Sequence, residues 1–584
     1  MRRAVRRSLV VLALAGALVG LMASPAFAHA TLLSSTPQAG QVFQRAPKAV
    51  TLQFSEPVEA KLGGIRVFNG KGALLDAGDI QKPAPNTVRV ALPSLKDGTY
   101  AITWRVISAD SHPVEGAFTF QVGAAGNASS SAARNLAQRL LARESSDQAV
   151  GALFGVARGF VFGGLALLIG AAFFAAVLWR DARQARWARR LAWAGWGLAT
   201  LGTVAGFLLQ GPYGAALPLG DAFRTSLIGD VLDTRFGHFW ALRLGLLVLA
   251  IPMLVQLFAR HPKQTDGALG LPPGWVVAAG AVAVALAATP GLAGHPATGD
   301  WATAAVVADT LHVLAMSVWL GGLVVLAAVA LPARDAQQVR DAVPRFSRLA
   351  LGCVAVLVAT GAFQAWRQVG SLDALRTTDY GRILVVKLVL LSAIVVFAAF
   401  SREIVDRLFP RSQRRRVPAI AGGADDWDEV DEAAELRHLR RSVWAEIVFG
   451  VAVIAATALL VNAVPAKTAA AGTAANGATG VTLKAKNVWV DVTVAPGVKG
   501  RNDFHVSALK PDGAPLDVPE LQLTIDQPDK KSIAPIKVPV RKLGPGHYLA
   551  PGFDIPFDGD WRVTARARLD EFNEATITGT ISIR

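Results

Sequence analysis

The stretch 302–331 reads ATAAVVADTLHVLAMSVWLGGLVVLAAVAL. A helix crosses the hydrocarbon core of a bilayer with about 20 apolar residues, so this stretch is long enough to span it. Its only ionisable side chains are those of Asp309 and His312. Seven further apolar stretches lie near 152–178, 188–210, 237–259, 273–292, 346–367, 381–401 and 442–463. The sequence therefore predicts a bundle of eight transmembrane helices.

The composition of the whole chain agrees with a membrane protein that has soluble parts. Of 584 residues, 52% are hydrophobic and 17% are charged, and the formal net charge is +16. The arginines cluster beside apolar runs, which is typical of cytoplasmic membrane flanks and not of a nucleic-acid surface. The lone Cys353 excludes an intrachain disulfide. No nucleophile–base set, phosphate loop or metalloprotease motif is present, so we do not expect an enzyme.

The arginines also predict the orientation of the chain. They are concentrated in alternate loops between the helices, for example at Arg180, Arg183, Arg186, Arg189, Arg190, Arg411, Arg414, Arg415 and Arg416. The positive-inside rule places these loops in the cytoplasm and both ends of the chain outside. We therefore expect a multi-pass protein of the inner or plasma membrane, with both soluble domains extracytoplasmic.

Residues 1–28 have the features of a signal peptide. A basic start is followed by an apolar run and by an A-x-A cleavage site at Ala26 and Ala28. The alternative is an uncleaved first transmembrane helix. Cleavage after Ala28 would make His29 the mature N-terminus.

The two soluble ends show the period-two alternation of half-buried strands. Val50, Leu52 and Phe54 alternate with polar residues in 29–123, and Val488 and Val490 do so in 481–584. Both segments are predicted to be β-sandwiches, the first of them Ig-like. The predicted order is a signal peptide (1–28), a sandwich (29–123), a linker (124–148), a membrane domain (149–464), a linker (465–480) and a sandwich (481–584).

A candidate metal site lies at the end of a predicted strand. In an extended backbone Asp110 and His112 point to the same side, which would supply a carboxylate and an imidazole. As N-terminal residue, His29 would add an α-amine and a second imidazole. Nitrogen and oxygen ligands in a planar set favour copper(II), and methionine is too scarce for a Met-rich copper(I) site. The alternative is a turn aspartate and a surface histidine.

A second candidate lies on the fifth helix. Asp309, His312, Met316 and Trp319 are spaced three, four and three residues apart and so share one helix face. Ionisable residues inside a membrane are functional candidates, although they can also serve only to pack the bundle. His295, in the preceding outer loop, would receive the metal or would simply be solvated. The predicted membrane path is therefore His295, Asp309, His312 and Met316.

Three basic residues argue against a simple cation path, because basic groups near a pore repel copper. Arg158, Arg243 and Lys387 lie in the outer halves of their helices. The alternatives are that they snorkel outward, pair with Asp309 or bind an anionic ligand such as haem propionates. A haem held by His238 and His312 is the matching alternative function.

The first domain contains several short motifs: His29-Ala30, Ser34-Ser35-Thr36-Pro37, the LQFSEPV stretch at 52–58 and Asp110-x-His112. In these motifs it resembles the CopC copper-binding family. The resemblance implies a copper(II) site built from the amine and imidazole of His29, the imidazole of His112 and the nearby Asp110.

The membrane domain also contains a set of short motifs: His295-Pro296, ADTLH at 308–312, WLGGL at 319–323, Phe346-Ser347, Tyr380-Gly381-Arg382 and Lys387. In these motifs it resembles the CopD family, which implies copper transport, usually described as uptake. The last domain resembles the YtkA-like family in Gly546-His547-Tyr548 and Gly559-Asp560-Trp561.

The expected function is capture of copper(II) outside the cytoplasm and transport of copper across the membrane in the import direction. The expected partners are the copper ion, the lipid bilayer and periplasmic copper chaperones or a reductase, with no nucleic acid. The alternatives are a haem-binding membrane redox protein and a membrane-anchored copper-binding protein without transport.

Overall fold

The computed structural model describes most of the chain beyond its first residues. The predicted signal peptide, His29 and Asp110 lie outside the described residues. The described residues are 30, 32–37, 42–54, 56–109, 111–123, 136–137, 139–140, 148–183, 185–259, 271–298, 301–332, 336–369, 371–408, 432–464, 466, 479–495, 497–511, 516–528, 534–544, 546–571 and 573–583.

The first soluble domain is a sandwich of two sheets, as the alternation predicts. Val50, Leu52 and Phe54 are fully buried between the sheets, because every second side chain of a strand points inward. One sheet has the order β1-β3-β7-β6 and the other β2-β9-β8-β4-β5. The strands are β1 Leu32–Thr36, β2 Val42–Phe43, β3 Ala49–Phe54, β4 Val58–Asn69, β5 Leu74–Leu75, β6 Ile80–Ala84, β7 Thr87–Ala91, β8 Gly98–Ser108 and β9 Pro113–Val122.

Part of the predicted first linker packs on this sandwich. Leu140 is buried against Phe68 and Ala101, and Leu136 packs against the same cluster. These apolar contacts hold the chain close to the sandwich before it enters the membrane domain.

Eight helices of the described residues are long and apolar enough to cross a membrane, which confirms the predicted bundle. Short helices at Thr225–Leu232 and Ala374–Thr377 and a 3-10 turn at His295–Ala297 connect them. The long helices are α1 Gln148–Leu178, α2 Arg186–Ala215, α3 Arg235–Leu257, α4 Pro273–Leu292, α5 Ala302–Ala330, α6 Ala342–Val369, α7 Asp379–Leu408 and α8 Ala434–Asn462.

The helix α5 is not α-helical throughout. It forms π-helical turns at Ser317–Gly321 and Leu326–Ala330. At the first of these turns Gly321 lies so close to the backbone of Ala166 on α1 that an added Cβ would overlap it, and Gly170 lies equally close to Ser317. The two helices therefore approach closely at Gly321, and glycine is required there because any side chain would separate the helices.

The last soluble domain is a second sandwich with its own core. Its sheets have the orders β10-β11-β12-β16-β15 and β14-β13-β17-β18, and the fully buried Trp561 lies between them. The predicted fold class, two β-sandwiches joined by a membrane bundle, is thus confirmed. The strands are β10 Thr479–Lys484, β11 Trp489–Ala495, β12 Gly500–Leu509, β13 Glu520–Asp526, β14 Ile536–Val538, β15 Arg541–Gly544, β16 His547–Ile555, β17 Gly559–Arg568 and β18 Glu574–Ile583.

Candidate metal transfer site

The turn between β8 and β9 carries His112 at its end. The backbone N–H of Ser108 donates to the carbonyl of His112 at 2.9 Å, and that of Ser111 donates to Ser108 at 2.9 Å. Ser111 has a φ of 75°, the left-handed conformation that such a tight turn requires. The expectation of an extended backbone is therefore wrong at Ser111, the residue before His112. Asp110 and His29 lie outside the described residues, so their part in a copper(II) site stays a prediction.

This turn is inserted into one end of the helix bundle. Ser111 Oγ donates to the carbonyl of Ala293, just after α4, at 2.8 Å. Gln210 Nε2 of α2 donates to the carbonyl of Ser111 at 3.4 Å. The helix bundle thus holds the turn by hydrogen bonds from both sides.

Arg105 on β8 anchors the same sandwich to the end of α2. Its Nε donates to the carbonyl of Gly214 at 2.7 Å and its Nη2 to that of Tyr213 at 3.0 Å, while Nη1 pairs with Glu115. Leu62 and Ile107 pack beside Gly214 and belong to the apolar core of the membrane domain. Polar and apolar contacts together dock the first sandwich on the helices.

The docked turn brings His112 against His295. The two imidazole rings stack with their centroids 4.5 Å apart and their planes 5° apart. His112 is 2% exposed and His295 4% exposed. The readings of His112 as a surface histidine and of His295 as a solvated loop residue are therefore wrong. One ring of the pair belongs to the predicted copper(II) site and the other to the predicted membrane path.

A backbone carbonyl at the end of α8 orients the His112 ring. His112 Nε2 lies 2.7 Å from the oxygen of Val461, which also accepts from Arg158 Nη1 at 2.9 Å. A carbonyl can only accept, so Nε2 carries the proton in this contact, and in the neutral ring Nδ1 then carries the lone pair. A metal bound by His112 in this docked arrangement is therefore bound through Nδ1.

The parallel rings set a limit on the chemistry of the pair. Ring-nitrogen lone pairs lie in the ring plane, so stacked rings do not converge on one ion. Among the described residues no group of three or more His, Cys, Asp and Glu side chains comes together as a metal centre. The arrangement therefore suits the transfer of a metal ion from one histidine to the other better than a closed site in which both histidines bind it together.

On α5, Asp309 and His312 face different neighbours. The carboxylate of Asp309 lies against Gly291 of α4, where a Cβ would displace it. His312 Nδ1 lies 2.9 Å from Thr360 Oγ1 of α6, and that hydroxyl donates to the carbonyl of Val356 at 2.6 Å. Since the hydroxyl proton is used, Nδ1 of His312 is the donor and Nε2 carries the lone pair. His312 thus offers Nε2 to a metal.

The rest of the predicted face differs from expectation. Met316 is partly buried against the helix core, and the π turn begins at the next residue. A π turn changes the number of residues per turn, so the spacing rule that places Trp319 on the face of Asp309 no longer holds beyond Met316. Lys387 of α7 interacts electrostatically with Asp309 and His312. No direct ion pair joins Lys387 to Asp309 in the part of the chain that the structure describes.

His238 and His312, the haem ligands of the alternative function, lie in different surroundings. His238 is exposed on the first turn of α3, where it interacts electrostatically with Asp233. His312 is half-buried and bonded to α6. Nothing in these contacts brings the two imidazoles to opposite faces of one planar cofactor.

The comparisons with known proteins match three parts of the chain. Residues 32–123 match the CopC domain family, 147–303 the Copper resistance protein D-like N-terminal domain family and 340–460 the Copper resistance protein D family. Together these matches cover the first sandwich and most of the helix bundle.

Individual relatives repeat this division. Copper transport protein CutJ of Bacillus subtilis is 26% identical over 95% of this chain and 96% of its own length. Copper resistance protein C of Pseudomonas syringae pv. tomato is 35% identical, over 20% of this chain and 96% of its own length. Protein YobA of Escherichia coli is 32% identical, over 20% of this chain and 95% of its own length.

The short relatives correspond to the docked sandwich alone, and the long one extends over the helices and the last sandwich as well. The chain therefore belongs to the copper transport and resistance family, as a protein that carries a CopC domain and a CopD membrane domain on one polypeptide.

Proposed function

We propose that this protein captures copper(II) outside the cytoplasm and imports copper through its own membrane domain. Capture uses the amine and imidazole of His29 with Asp110 and His112. The observation that carries the proposal is the stack of His112 on His295, because it places a ligand of the receptor 4.5 Å, centroid to centroid, from a buried histidine of the helix bundle.

Transfer begins with an exchange of ligands. His112 is held by Val461 and leaves the ion when His295 turns one ring nitrogen toward it. His295 lies in the 3-10 turn that packs on α5, and Asp309 lies against Gly291, four residues before His295. The ion therefore has a carboxylate as its next ligand on the way inward.

The inner steps follow α5. Asp309 and His312 lie one helical turn apart, roughly 10–15 Å from the outer end of the helix, where a hydrated ion needs protein ligands in place of water. Met316 follows one turn deeper and offers a thioether, which suits copper(I). The ligands change from hard to soft along the helix, so a reductase or another electron donor at the outer face is a required partner.

The proposed orientation places both sandwiches outside. The arginine-rich loops predict it, and the contacts of the docked sandwich support it. The docked sandwich contacts the end of α2, the residues after α4 and the end of α8. In the predicted topology these three places lie on the side opposite the arginine-rich loops. The receptor is thus on the side from which copper arrives.

The test is copper accumulation per molecule of folded protein after His295→Ala. We expect copper(II) binding by the first sandwich to persist and accumulation to fall about tenfold, because a ligand in the middle of the path is lost. His505→Ala is the matched control, since His505 is an exposed histidine of the last sandwich. Normal copper accumulation per molecule in the His295 variant would reject the proposed transfer of copper from His112 to His295. Absence of accumulation by the unmodified protein would leave a membrane-anchored copper-binding protein.

A further inference from the structure

The helix α3 carries a guanidinium group that is buried within the membrane domain. Arg243 is 1% exposed. Its Nε donates to Thr289 Oγ1 of α4 at 2.7 Å, and its Cζ lies 4.7 Å from the centre of the Trp240 ring. Nη1 is buried and has no hydrogen-bond partner among the described residues. The side chain is thus held firmly in place while one of its donors stays unused.

A second buried guanidinium lies on the other side of an aromatic pair. Arg158 of α1 is 7% exposed, and its Cζ lies 4.4 Å from the Phe154 ring centre. The Phe154 and Trp240 rings are 6.5 Å apart, so two rings separate the cations. Arg158 and Arg243 are close enough to repel each other.

This arrangement excludes two of the three roles expected for Arg243. It does not snorkel, because snorkelling would bring the charged group to water. It does not pair with Asp309, which lies against Gly291, and no carboxylate contacts it in the described ranges. A buried charge is costly unless it is paired and hydrogen-bonded. The role that remains is the binding of an anion.

We propose that Arg243 is the centre of a binding site for a small monovalent anion of the halide class. Its Nε is already committed to Thr289, so the side-on fork that grips a carboxylate is not available. Nη1 offers single-point donation, and aromatic ring edges carry positive partial charge. Sulfate or phosphate would need several donors together, whereas a halide needs few.

The position of the site connects it to copper, and this connection rests on the proposed function. Arg158 donates to the same Val461 carbonyl that binds His112. The buried positive charge therefore lies beside the copper entrance, where it opposes an arriving cation. A bound anion neutralises part of that charge.

The experiment uses the purified full-length protein with all copper chelated, and chloride as the probe. Chloride replaces gluconate at constant ionic strength, and binding is followed by chloride-35 NMR line width and by thermal unfolding. We expect a saturable response that Arg243→Gln weakens at least about tenfold. Arg235→Gln, at an exposed position of the same helix, is the matched control and keeps the response.

Arg243→Lys keeps the test decisive if the glutamine variant does not fold. A lysine preserves the charge, so chloride binding persists with a several-fold lower affinity. An equal response to chloride, gluconate and sulfate would overturn the proposal, because it would reflect screening alone. An undiminished response in Arg243→Gln would overturn it as well. Since copper is absent, either result is independent of whether the protein transports copper.

Discussion

The two β-sandwiches share an architecture of one five-stranded and one four-stranded sheet, yet they relate differently to the rest of the chain. In the first, Leu62 and Ile107 belong to the core of the membrane domain, and Arg105 donates to the backbone of α2. In the last, the buried apolar residues form a core of the domain's own strands, and Arg562 pairs with Asp526 of the neighbouring strand. The same fold is therefore docked on the helices in one place and self-contained in the other.

The two sandwiches also differ in where their histidines lie. The β8–β9 turn of the first sandwich inserts His112 against His295, whereas His505 of the last sandwich stands exposed in the middle of β12. His112 thus contacts another domain from the end of its strand, whereas His505 is exposed within its own sheet. Copper chemistry is accordingly proposed for the first sandwich alone.

The largest effect is expected at His29. Insertion of one residue before His29 separates the α-amine from the imidazole, so the two no longer chelate as a pair. We expect the copper(II) affinity of the protein to fall about 100-fold or more. Isothermal titration and electron paramagnetic resonance measure it, with the same insertion before Thr479 at the start of the last sandwich as control. Unchanged copper(II) affinity would remove the basis for treating the two sandwiches differently.

The second test removes the anchor of the docked sandwich. Arg105→Ala deletes two hydrogen bonds from a charged donor to the backbone of α2. Their loss is expected to weaken docking by about 2 kcal/mol, which shifts the docking equilibrium roughly 30-fold. Energy transfer between dyes on the first sandwich and on the membrane domain reports docking. Arg562→Ala is the matched control, since it breaks an ion pair inside the last sandwich. If both variants stay docked equally well, the contacts of Arg105 do not determine the difference.

The third test extends the comparison from the docked sandwich to the helix that carries the proposed copper path. We expect His312→Ala and Asp309→Asn each to lower copper accumulation per molecule about tenfold, because each removes a ligand at a depth without water. Met316→Leu keeps the volume and removes only a thioether, so its effect should be smaller. Leu311→Ala, at a residue of α5 that is 48% exposed, is the control.

A purely structural role for these side chains gives the opposite pattern. In that case His312→Ala would lower the amount of protein in the membrane together with total accumulation, and accumulation per molecule would stay normal. A structural role of His312 would depend on its hydrogen bond to Thr360. In that case Thr360→Val, which removes the hydroxyl, would lower the amount of protein in the membrane as His312→Ala does.

The sequence predicted those parts of the molecule that depend on local patterns. Hydropathy along the chain predicts the eight helices, and alternation at Val50, Leu52 and Phe54 predicts the first sandwich, because burial depends on which face each residue occupies. The stack of His112 on His295 joins segments far apart in the chain, and neither segment contains a signal for it. The same holds for Val461, which acts through its backbone carbonyl and so could not be found from its side chain.

The sequence also contains no signal for the π turn after Met316. It coincides with the close contact of Gly170 and Gly321, where the backbones of α1 and α5 meet. A spacing rule assumes a regular α-helix. It therefore gives no basis for placing Trp319 on the same helix face as Asp309. Asp309 and His312 can be recognised as candidates without that assumption, because they are ionisable residues in an apolar stretch.

The smallest effect is expected at the exposed edge of the docking surface. Lys61 of the first sandwich donates to Asp233, before α3, at 2.7 Å, and both side chains are largely exposed. The hydrogen bond raises the pKa of Lys61 above 10.5 and lowers the pKa of Asp233 below 3.8. The contribution of the pair to docking is therefore present at all pH values between these limits. It is lost when Asp233 is protonated in acid or when Lys61 loses its proton in strong alkali.

Exposed pairs of this kind contribute little and are screened by salt. We expect Lys61→Met to change docking less than about twofold at physiological ionic strength, and not at all at high salt. Lys542, which pairs with Asp517 at the surface of the last sandwich, provides the control Lys542→Met. The dye pair used for Arg105 measures both variants across a salt series. A large, salt-independent loss of docking in Lys61→Met would show that the first sandwich is held at its charged edge. The buried contacts of Arg105 and His112 would then not be what distinguishes it from the last sandwich.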